Sequence, residues 1–489
     1  MLKRMFVIVT TILIAGQSVG AYEPYINYTY SSDNRPYIEP QAYVPEEVIR
    51  GRAIGAGDFR DPSDVFVSES GRVYIVDSGN NRIVILGSDF ALKQIIDGFV
   101  SEIGDETFNT PRGIFVDSDD NFYVADTENK RIVKLDDSGK LLKIFSEPVK
   151  ALDIVKFEYK PVRLSVDNAG RLFIVSMNIN HGMIELDSEG NFVSFFGATR
   201  VRANFAELIW RRLLTQEQID TGILSLPTEY SSNDIDENGF VFGTISATGV
   251  GGGYGSQSIR KLNPTGMDIL RRMGFSDPVG DTNVIYRDGS LLTSKLADVC
   301  VGEYGMYSVL DLQRGRIFTY DYDGNLLYVF GSIGNTEGSF TFPKAIDKTL
   351  DGRFLVADGG LGQIVVFKPT EYAKMVNSAT IYQQDREYEK AEQEWTEILK
   401  ITTNSDIAYV GMGKALLRQG ENREAMKYLK LGSSRQFYSK AFKEFRKELF
   451  GDAFGLVMSV AAMIIVILLI IRYVRRFRKF RNNRREKVL

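Results

Sequence analysis

The chain has 489 residues, one cysteine, one histidine and a formal net charge of −4 at pH 7. One cysteine forms no disulfide within the chain, and one histidine with one cysteine cannot assemble a Cys/His zinc site. Residues 1–21 carry +2 and residues 472–489 carry +8, which leaves −14 for residues 22–471. We expect so acidic a central part to exclude DNA, RNA and other anionic polymers as partners.

The N-terminus predicts export. In residues 1–21, Lys3 and Arg4 precede a short apolar run, and Val19-Gly-Ala21 offers small residues at a cleavage position, which is typical of a secretory signal peptide. An uncleaved anchor is the alternative. Residues 22–43 are rich in Tyr and Pro, and we interpret them as a leader that is extended along the next domain or disordered. Tyrosines that stack on sugars or on a partner are the alternative.

A short pattern recurs between residues 44 and 370. The stretch VYIVDSGNNRIVIL at 73–86 returns as FYVADTENKRIVKL at 122–135, and weaker versions follow. Each copy has four short alternating strands joined by Gly, Asn and Asp turns, a pattern typical of antiparallel hairpins. Six copies predict a mainly β fold, a six-bladed β-propeller. The copies begin at Pro62, Pro111, Pro161, Pro227, Leu296 and Pro343.

Two interruptions of this pattern carry predictions of their own. The sixth copy ends after QIVVFKP and lacks a fourth strand, and we expect residues 46–54 to supply that strand and close the ring. Residues 201–226 place apolar side chains at helical spacing between the third and fourth copies, so they predict an inserted helical lobe.

A polar turn follows the second strand of the better copies. The strand ends in Asp, Asn tolerates the left-handed backbone that a turn requires, and Arg can fork onto a carboxylate or carbonyl. Because one ligand would not need the same turn repeated round a ring, we predict a structural role. The residues of this turn motif are Asp77, Asn80, Arg82, Asp126, Asn129, Arg131, Asp311, Arg316 and Asp358.

The copy at 62–83, with its starting Pro, its Gly and the segment YIVDSGNNRI, resembles the NHL repeat. The copies at 111, 296 and 343 share the resemblance, and those at 161 and 227 are eroded. The resemblance implies a six-bladed propeller that is used mostly for binding. Some relatives are amidating lyases or lactonases, so the fold alone does not settle the function.

The first strand of each blade of such a propeller lines the central channel. Polar residues just after the start of each copy are therefore candidates for ligand binding at the channel mouth: Asp64, Arg112, Arg163, Glu229, Asp298 and Lys344. These residues form no evident carboxylate cage. We predict no catalytic residue, no metal site and no cofactor, and rim residues that pair with one another are the alternative. An enzymatic function would need an oxygen-ligated divalent ion such as calcium.

The pattern after residue 370 becomes helical. In residues 371–449, Ala391 and Ala425 lie 34 positions apart, and Ala379 and Gly413 keep the same offset. This part resembles the tetratricopeptide repeat, which implies a peptide-binding or docking surface, with a rigid stalk as the alternative.

The C-terminus predicts a membrane anchor. Residues 453–473 predict a single transmembrane helix, since the 19 residues from Ala453 to Ile471 carry no charge. The basic tail at 474–489 is predicted to stay in the cytoplasm, which places the propeller outside.

Together these features predict a non-enzymatic, extracytoplasmic, membrane-anchored binding or scaffold protein of a bacterial surface. A protein partner is expected, with a membrane transporter complex as one candidate, and a glycan remains open as a ligand. The alternative is an extracytoplasmic hydrolase or lyase of the lactonase kind with an oxygen-ligated divalent metal.

Overall fold

The computed structural model describes residues 25–198, 229–245 and 258–485, apart from short gaps at 34, 150, 152–156, 282–284, 288–289 and 293. The signal peptide predicted at 1–21 and the helical lobe predicted at 201–226 lie outside the described residues. The chain divides into two compact units, Met1–Asn377 and Ser378–Leu489.

The first unit consists mostly of small antiparallel sheets, each a blade whose strands follow one another in the chain. Three strands come before the first blade: β1 (Tyr28–Tyr30), β2 (Pro36–Ile38) and β3 (Tyr43–Arg50). Blade 1 contains β4 (Pro62–Val67), β5 (Val73–Asp77), β6 (Arg82–Leu86) and β7 (Leu92–Ile96). Strand β5 is buried along its whole length. Its nearly continuous apolar run is typical of a strand in a sheet that is covered on both faces.

Blades 2 and 3 repeat this arrangement after a separate hairpin. The hairpin is formed by β8 (Gly98–Ser101) and β9 (Gly104–Thr107). Blade 2 contains β10 (Pro111–Val116), β11 (Phe122–Asp126), β12 (Arg131–Leu135) and β13 (Leu141–Phe145). Blade 3 contains β14 (Pro161–Val166), β15 (Leu172–Ser176), β16 (Met183–Leu186) and β17 (Phe192–Phe196).

Blade 4 departs from the predicted four strands. Among the described residues it has three, followed by a single bridge between Leu262 and Asp268. These strands are β18 (Tyr230–Ile235), β19 (Val241–Ile245) and β20 (Ile259–Leu262). A short hairpin then comprises β21 (Ile285–Arg287) and β22 (Ser290–Leu292).

Blade 5 is extended by the N-terminal strands. It contains β23 (Leu296–Val301), β24 (Tyr307–Asp311), β25 (Arg316–Tyr320) and β26 (Leu326–Phe330). Strand β1 pairs with β26 through Tyr28 and Val329, and β2 pairs with β1, so the sheet has six strands. Part of the Tyr-rich leader is therefore ordered along the outer edge of blade 5.

Blade 6 closes the ring with a strand from the start of the domain. It contains β27 (Pro343–Lys348), β28 (Phe354–Asp358) and β29 (Gln363–Pro369), and β3 is its fourth strand. The predicted closure is confirmed, although the strand begins at Tyr43 rather than at residue 46. The inner strands of all six blades contact their neighbours round a closed circle. Apolar clusters fill the spaces between adjacent blades, for example the cluster of Val84, Leu355 and their neighbours between blades 1 and 6.

The expected start of the fourth copy was wrong by three residues. Tyr230 pairs with Ile245 as Pro62 pairs with Asp77, so Tyr230, and not Pro227, occupies the place of the starting proline. This copy has neither the proline nor the aspartate of the repeat at the expected position, so no residue in the sequence marks where its first strand begins. Glu229 therefore precedes β18 instead of lying within it.

Five helices follow the propeller: α1 (Glu371–Gln384), α2 (Tyr388–Ile401), α3 (Asp406–Gln419), α4 (Asn422–Leu431) and α5 (Arg435–Arg485). Small residues allow the consecutive helices to approach closely. A Cβ atom at Gly411 would lie 2.3 Å from the Trp395 ring, and one at Gly413 would lie 2.4 Å from Leu429. Ala391 and Ala425 are both fully buried.

Helix α5 has 51 residues and is apolar over much of its length. Its part from Arg435 to Arg478 is long enough to cross a membrane, with a hydropathy of 3.1 in the most apolar window, and none of that window is buried. By length and composition, this helix is a candidate membrane span.

Candidate functional site

The channel enclosed by the six inner strands is the site that the sequence pointed to. Every inner strand carries the same irregularity one residue after its start, where the register with the second strand shifts, as between Pro62 and Asp64. A bulge of this kind turns the following side chain to a different face. The third residue of the strand, and not the second, then lies at the channel, as Asp64, Arg163 and Asp298 do.

Arg163 holds four blades together at the channel. Its side chain is 12% exposed, and its guanidinium donates to backbone carbonyls of blades 1, 2, 3 and 6. The acceptors are Ser63 O at 2.7 Å, Arg112 O at 2.5 Å, Val162 O at 3.2 Å and Lys344 O at 3.4 Å. The same group lies 3.5 Å from an Asp64 carboxylate oxygen and 4.0 Å from Asp298.

Four carboxyl groups at the channel accept hydrogen bonds from the next blade. Asp64 Oδ2 accepts from Ile114 N at 2.9 Å, and Asp298 Oδ2 accepts from Ile346 N at 2.8 Å. Two residues further along their strands, Asp234 accepts from Val301 N at 2.7 Å and Asp347 accepts from Val67 N at 2.6 Å. Each of these carboxyl groups therefore links its own inner strand to the following one.

Burial governs the ionisation of this cluster. Burial raises the pKa of Asp64 to about 7, although Arg163 opposes the change, and it also raises the pKa of Asp234 to about 7. The pKa of Asp347 is raised well above its usual range, by burial and by the nearby Asp234. Burial and Asp347 likewise raise the pKa of the Cys300 thiol, which lies at the same level of the channel. Cys300 is therefore a packed thiol and not a thiolate nucleophile.

The channel has little room for a ligand. Its cavity is about 30 Å³, which accommodates one or two waters, whereas pockets for small molecules usually measure about 300–1,000 Å³. Among the described residues, no group of three or more His, Cys, Asp or Glu is placed to hold a metal ion. The geometry provides hydrogen bonding and ion pairing between blades.

The structure brings three of the six channel-mouth candidates together and separates the others. Asp64, Arg163 and Asp298 converge, with Ser232 Oγ donating to Asp298 at 2.5 Å. The remaining candidates lie elsewhere: Arg112 and Lys344 are bulge residues, Lys344 pairs with Asp61, and Glu229 precedes its strand. Sequence reasoning missed Asp234 and Asp347, which are the fifth residues of their inner strands. Because side chains alternate along a strand, the fifth residue faces the same side as the third, and this would have indicated both.

The turn motif has the same geometry in blades 1 and 2. In blade 2, Asp126 accepts from Asn109 N at 2.7 Å, from Asn129 at 2.9 Å and from Arg131 Nε at 2.8 Å. The matching contacts in blade 1 join Asp77 to Arg60 N, Asn80 and Arg82 at 2.7 to 2.8 Å. All these partners lie within one blade or its preceding loop.

Blades 5 and 6 modify the turn. In blade 6, Asp358 accepts from nearby backbone amides and from the Thr341 hydroxyl. In blade 5, Asp311 accepts from three backbone amides, but Arg316 turns away from it to Asp281 and to the hydroxyl of Tyr28. Asp281 also accepts from Tyr28 at 2.6 Å and Tyr30 at 2.7 Å. The arginine of this copy thus attaches the N-terminal strand to blade 5.

A family model and several solved structures are similar to parts of this chain. The NHL repeat family matches residues 59–86 and 108–135. No curated protein matches the chain. Similar solved structures include virginiamycin B lyase from Staphylococcus aureus (10% identity, 64% of this chain and 97% of that chain, TM-score 0.39) and a gluconolactonase from Xanthomonas campestris (12%, 68% and 98%, 0.38). A Bacteroides thetaiotaomicron protein of unknown function (12%, 68% and 79%, 0.42) is also similar. These likenesses carry no argument about activity.

The closed circle of six blades defines the class of protein, a six-bladed β-propeller followed by a helical region. Within that class, the matches in blades 1 and 2 make it a propeller that contains NHL repeats.

Proposed function

We propose that this protein is a non-enzymatic, membrane-anchored binding or scaffold protein whose propeller lies outside the cytoplasm. The proposal depends on one observation: the polar groups at the channel bond to neighbouring blades. Arg163 bonds to carbonyls of four blades, and Asp64 and Asp298 each accept an amide of the next blade. Groups used in this way stabilise the ring, which leaves the outer surfaces for recognition.

Helix α5 supports the anchoring part of the proposal. Its apolar stretch at 453–473 is followed by the basic tail at 474–489, and a basic flank favours the cytoplasmic side of a membrane. The propeller precedes the span in the chain and would therefore lie on the opposite side.

The helical region is the second recognition surface that we propose. Consecutive helices α2, α3 and α4 pack through small residues such as Gly411 and Gly413, in keeping with the tetratricopeptide-like spacing of the sequence. Such repeats commonly bind peptides. A membrane protein, such as a component of a transporter, is the partner that we propose for this surface.

Cysteine labelling tests the orientation. Since Cys300 is buried and is the only cysteine, an introduced cysteine reports cleanly. An impermeant maleimide should label Glu102→Cys in intact cells and should label Lys487→Cys only after lysis. The reverse pattern, or labelling of both variants only after lysis, would contradict the proposed topology.

Crosslinking in native membranes tests the partner. The full chain, tagged at the C-terminus, should capture a membrane protein, and removal of residues 388–431 should abolish the capture while the propeller keeps its unfolding transition. Asp64→Asn serves as the matched control, because it alters the channel and not the helices. Undiminished capture without α2–α4 contradicts the role of the helices. Turnover of a lactone that Asp64→Asn abolishes would contradict the non-enzymatic proposal.

A further inference from the structure

A second cavity lies between blades 4 and 5, away from the channel. Its volume is about 200 Å³, below the range of about 300–1,000 Å³ that is usual for drug-sized ligands and therefore suited to a smaller molecule. Aromatic rings form much of its wall. The principal lining residues are Phe240, Phe242, Lys261, Arg271, Tyr307 and Tyr322.

The cavity lies where the outer edge of blade 4 is incomplete. In blade 2, the fourth strand β13 pairs with β12 from Ile132 to Leu135. Among the described residues of blade 4, the sheet is continued by the bridge from Leu262 to Asp268 and by a bond from Ile269 N to Lys261 O. The chain then crosses to blade 5, where Met273 N donates to Asp323 O. The crossing segment 269–271 thus lines one side of a space between the two blades.

The charged groups at the cavity are cations that already have one carboxylate partner each. Lys261 Nζ donates to Asp236 at 2.8 Å, and Arg271 Nη1 donates to Asp323 at 3.0 Å. An ammonium has three donors and a guanidinium has five, so both groups can also bind a ligand acceptor. Lys261 is 9% exposed, which strengthens any such contact because little water screens it.

The aromatic walls are closed to a cationic ligand. Lys261 Nζ lies 4.7 Å from the ring centre of Phe240 and 4.9 Å from that of Phe242, and Arg271 lies 4.4 Å from the ring of Tyr322. Two cations therefore occupy the ring faces that would attract a third. The edges of these rings can still pack against an apolar group.

The hydroxyl of Tyr307 is a further donor. Tyr307 is 1% exposed, and its buried hydroxyl oxygen has no hydrogen-bond partner among the residues that the structure describes. Burial raises the pKa of this phenol well above its usual range, so the group remains a neutral donor. A buried polar group without a partner is costly, and a ligand acceptor would remove that cost.

We propose that the cavity between blades 4 and 5 binds a small aromatic carboxylate. The ring of the ligand packs against Phe240, Phe242 and Tyr322, and the carboxylate accepts from Lys261, Arg271 and the Tyr307 hydroxyl. This site goes beyond the proposed scaffold function and does not depend on the membrane topology.

Calorimetric titration of the purified full chain tests the proposal with three probes of similar shape: phenylacetate, its neutral amide phenylacetamide, and the cation phenethylamine. We expect phenylacetate to bind at least about tenfold more tightly than the amide, since hydrogen bonds to charged groups are the stronger ones, and the cation not to bind. Equal binding of phenylacetate and the amide overturns the proposal.

Variants locate the site. Tyr307→Phe removes only a hydroxyl without a partner, so it should leave the fold intact and weaken phenylacetate binding about tenfold. Lys261→Met should abolish binding. Lys134→Met is its matched control, because Lys134 in blade 2 has the same place opposite Tyr123, pairs with Asp117 and is flanked by a complete fourth strand. Unchanged binding by Tyr307→Phe, or an equal loss in Lys134→Met, overturns the proposal.

Discussion

Replacement of Arg163 by methionine is the most informative perturbation of the propeller. Methionine fills a similar space but donates no hydrogen bond. The variant loses the contacts to Ser63 O at 2.7 Å and Arg112 O at 2.5 Å, as well as two longer ones. It also leaves Asp64 without its cation.

The magnitude follows from these contacts. A hydrogen bond to a charged group contributes about 1.5–3 kcal/mol, and breaking a buried ion pair costs about 3–5 kcal/mol. Two effects limit the loss: the cavity of about 30 Å³ can admit a water, and Asp64, whose burial already raises its pKa to about 7, can protonate. We therefore expect Arg163→Met to lower the free energy of unfolding by about 3–5 kcal/mol.

Urea unfolding of the full chain in detergent, followed by circular dichroism in the β region, measures this loss. Lys344→Met is the control, because Lys344 pairs with Asp61, which is 52% exposed, and pairs at the surface contribute about 0–1 kcal/mol. A loss in Arg163→Met no larger than in Lys344→Met would refute the view that Arg163 joins the blades.

Three further predictions concern other parts of the chain. Burial raises the pKa of Asp234 to about 7, so the folded protein holds a proton that the unfolded chain releases above about pH 4. Its stabilising contribution is fully present below that pH and is lost as the pH rises through about 7, and Asp234→Asn should flatten this fall in unfolding free energy. Asp126→Ala should cost about 3–5 kcal/mol in urea unfolding, because it removes a buried ion-pair partner of Arg131, and Asp311→Ala should cost less, because Arg316 pairs with Asp281 and not with Asp311. Gly411→Ala should lower the melting temperature of the helical region, because overpacking against Trp395 at about 1–3 kcal/mol exceeds a helix-propensity gain of about 1 kcal/mol. Made together with Trp395→Leu, the same change should be stabilising, and a stabilising effect with Trp395 present would contradict the packing argument.

The blades could be predicted because their signals are local. In each copy, the alternating strands and the turn motif, as at Asp77 and Asp126, lie within about 25 residues of one another. The antiparallel pairing follows from them. The start of blade 4 could not, because Tyr230 replaces the proline and Ile245 replaces the aspartate.

The channel was predictable only in part, because it depends on a register shift that composition does not reveal. The sequence prediction took polar residues just after the start of each copy, and the bulge directs the third residue of the strand into the channel. Arg163 is a third residue and lies at the channel, whereas Arg112 and Lys344 are second residues and lie in the bulge. The cavity between blades 4 and 5 depends on a strand that is mostly missing. A missing strand leaves no motif, and Lys261 and Tyr307 come together only in the folded chain.

The closing strand β3 has a consequence for how the domain is made. It pairs with β29, so residues 43–50 stay unpaired until residues 363–369, more than 300 positions later in the chain, have been synthesised. Contacts between such distant parts of a chain form slowly, because the entropy of a long loop must be lost first. Until β29 has emerged, blade 6 and the edge of blade 1 that packs on it remain without partners. Unfinished chains therefore expose unpaired strand edges, and a chaperone that shields such edges would raise the yield of the closed ring.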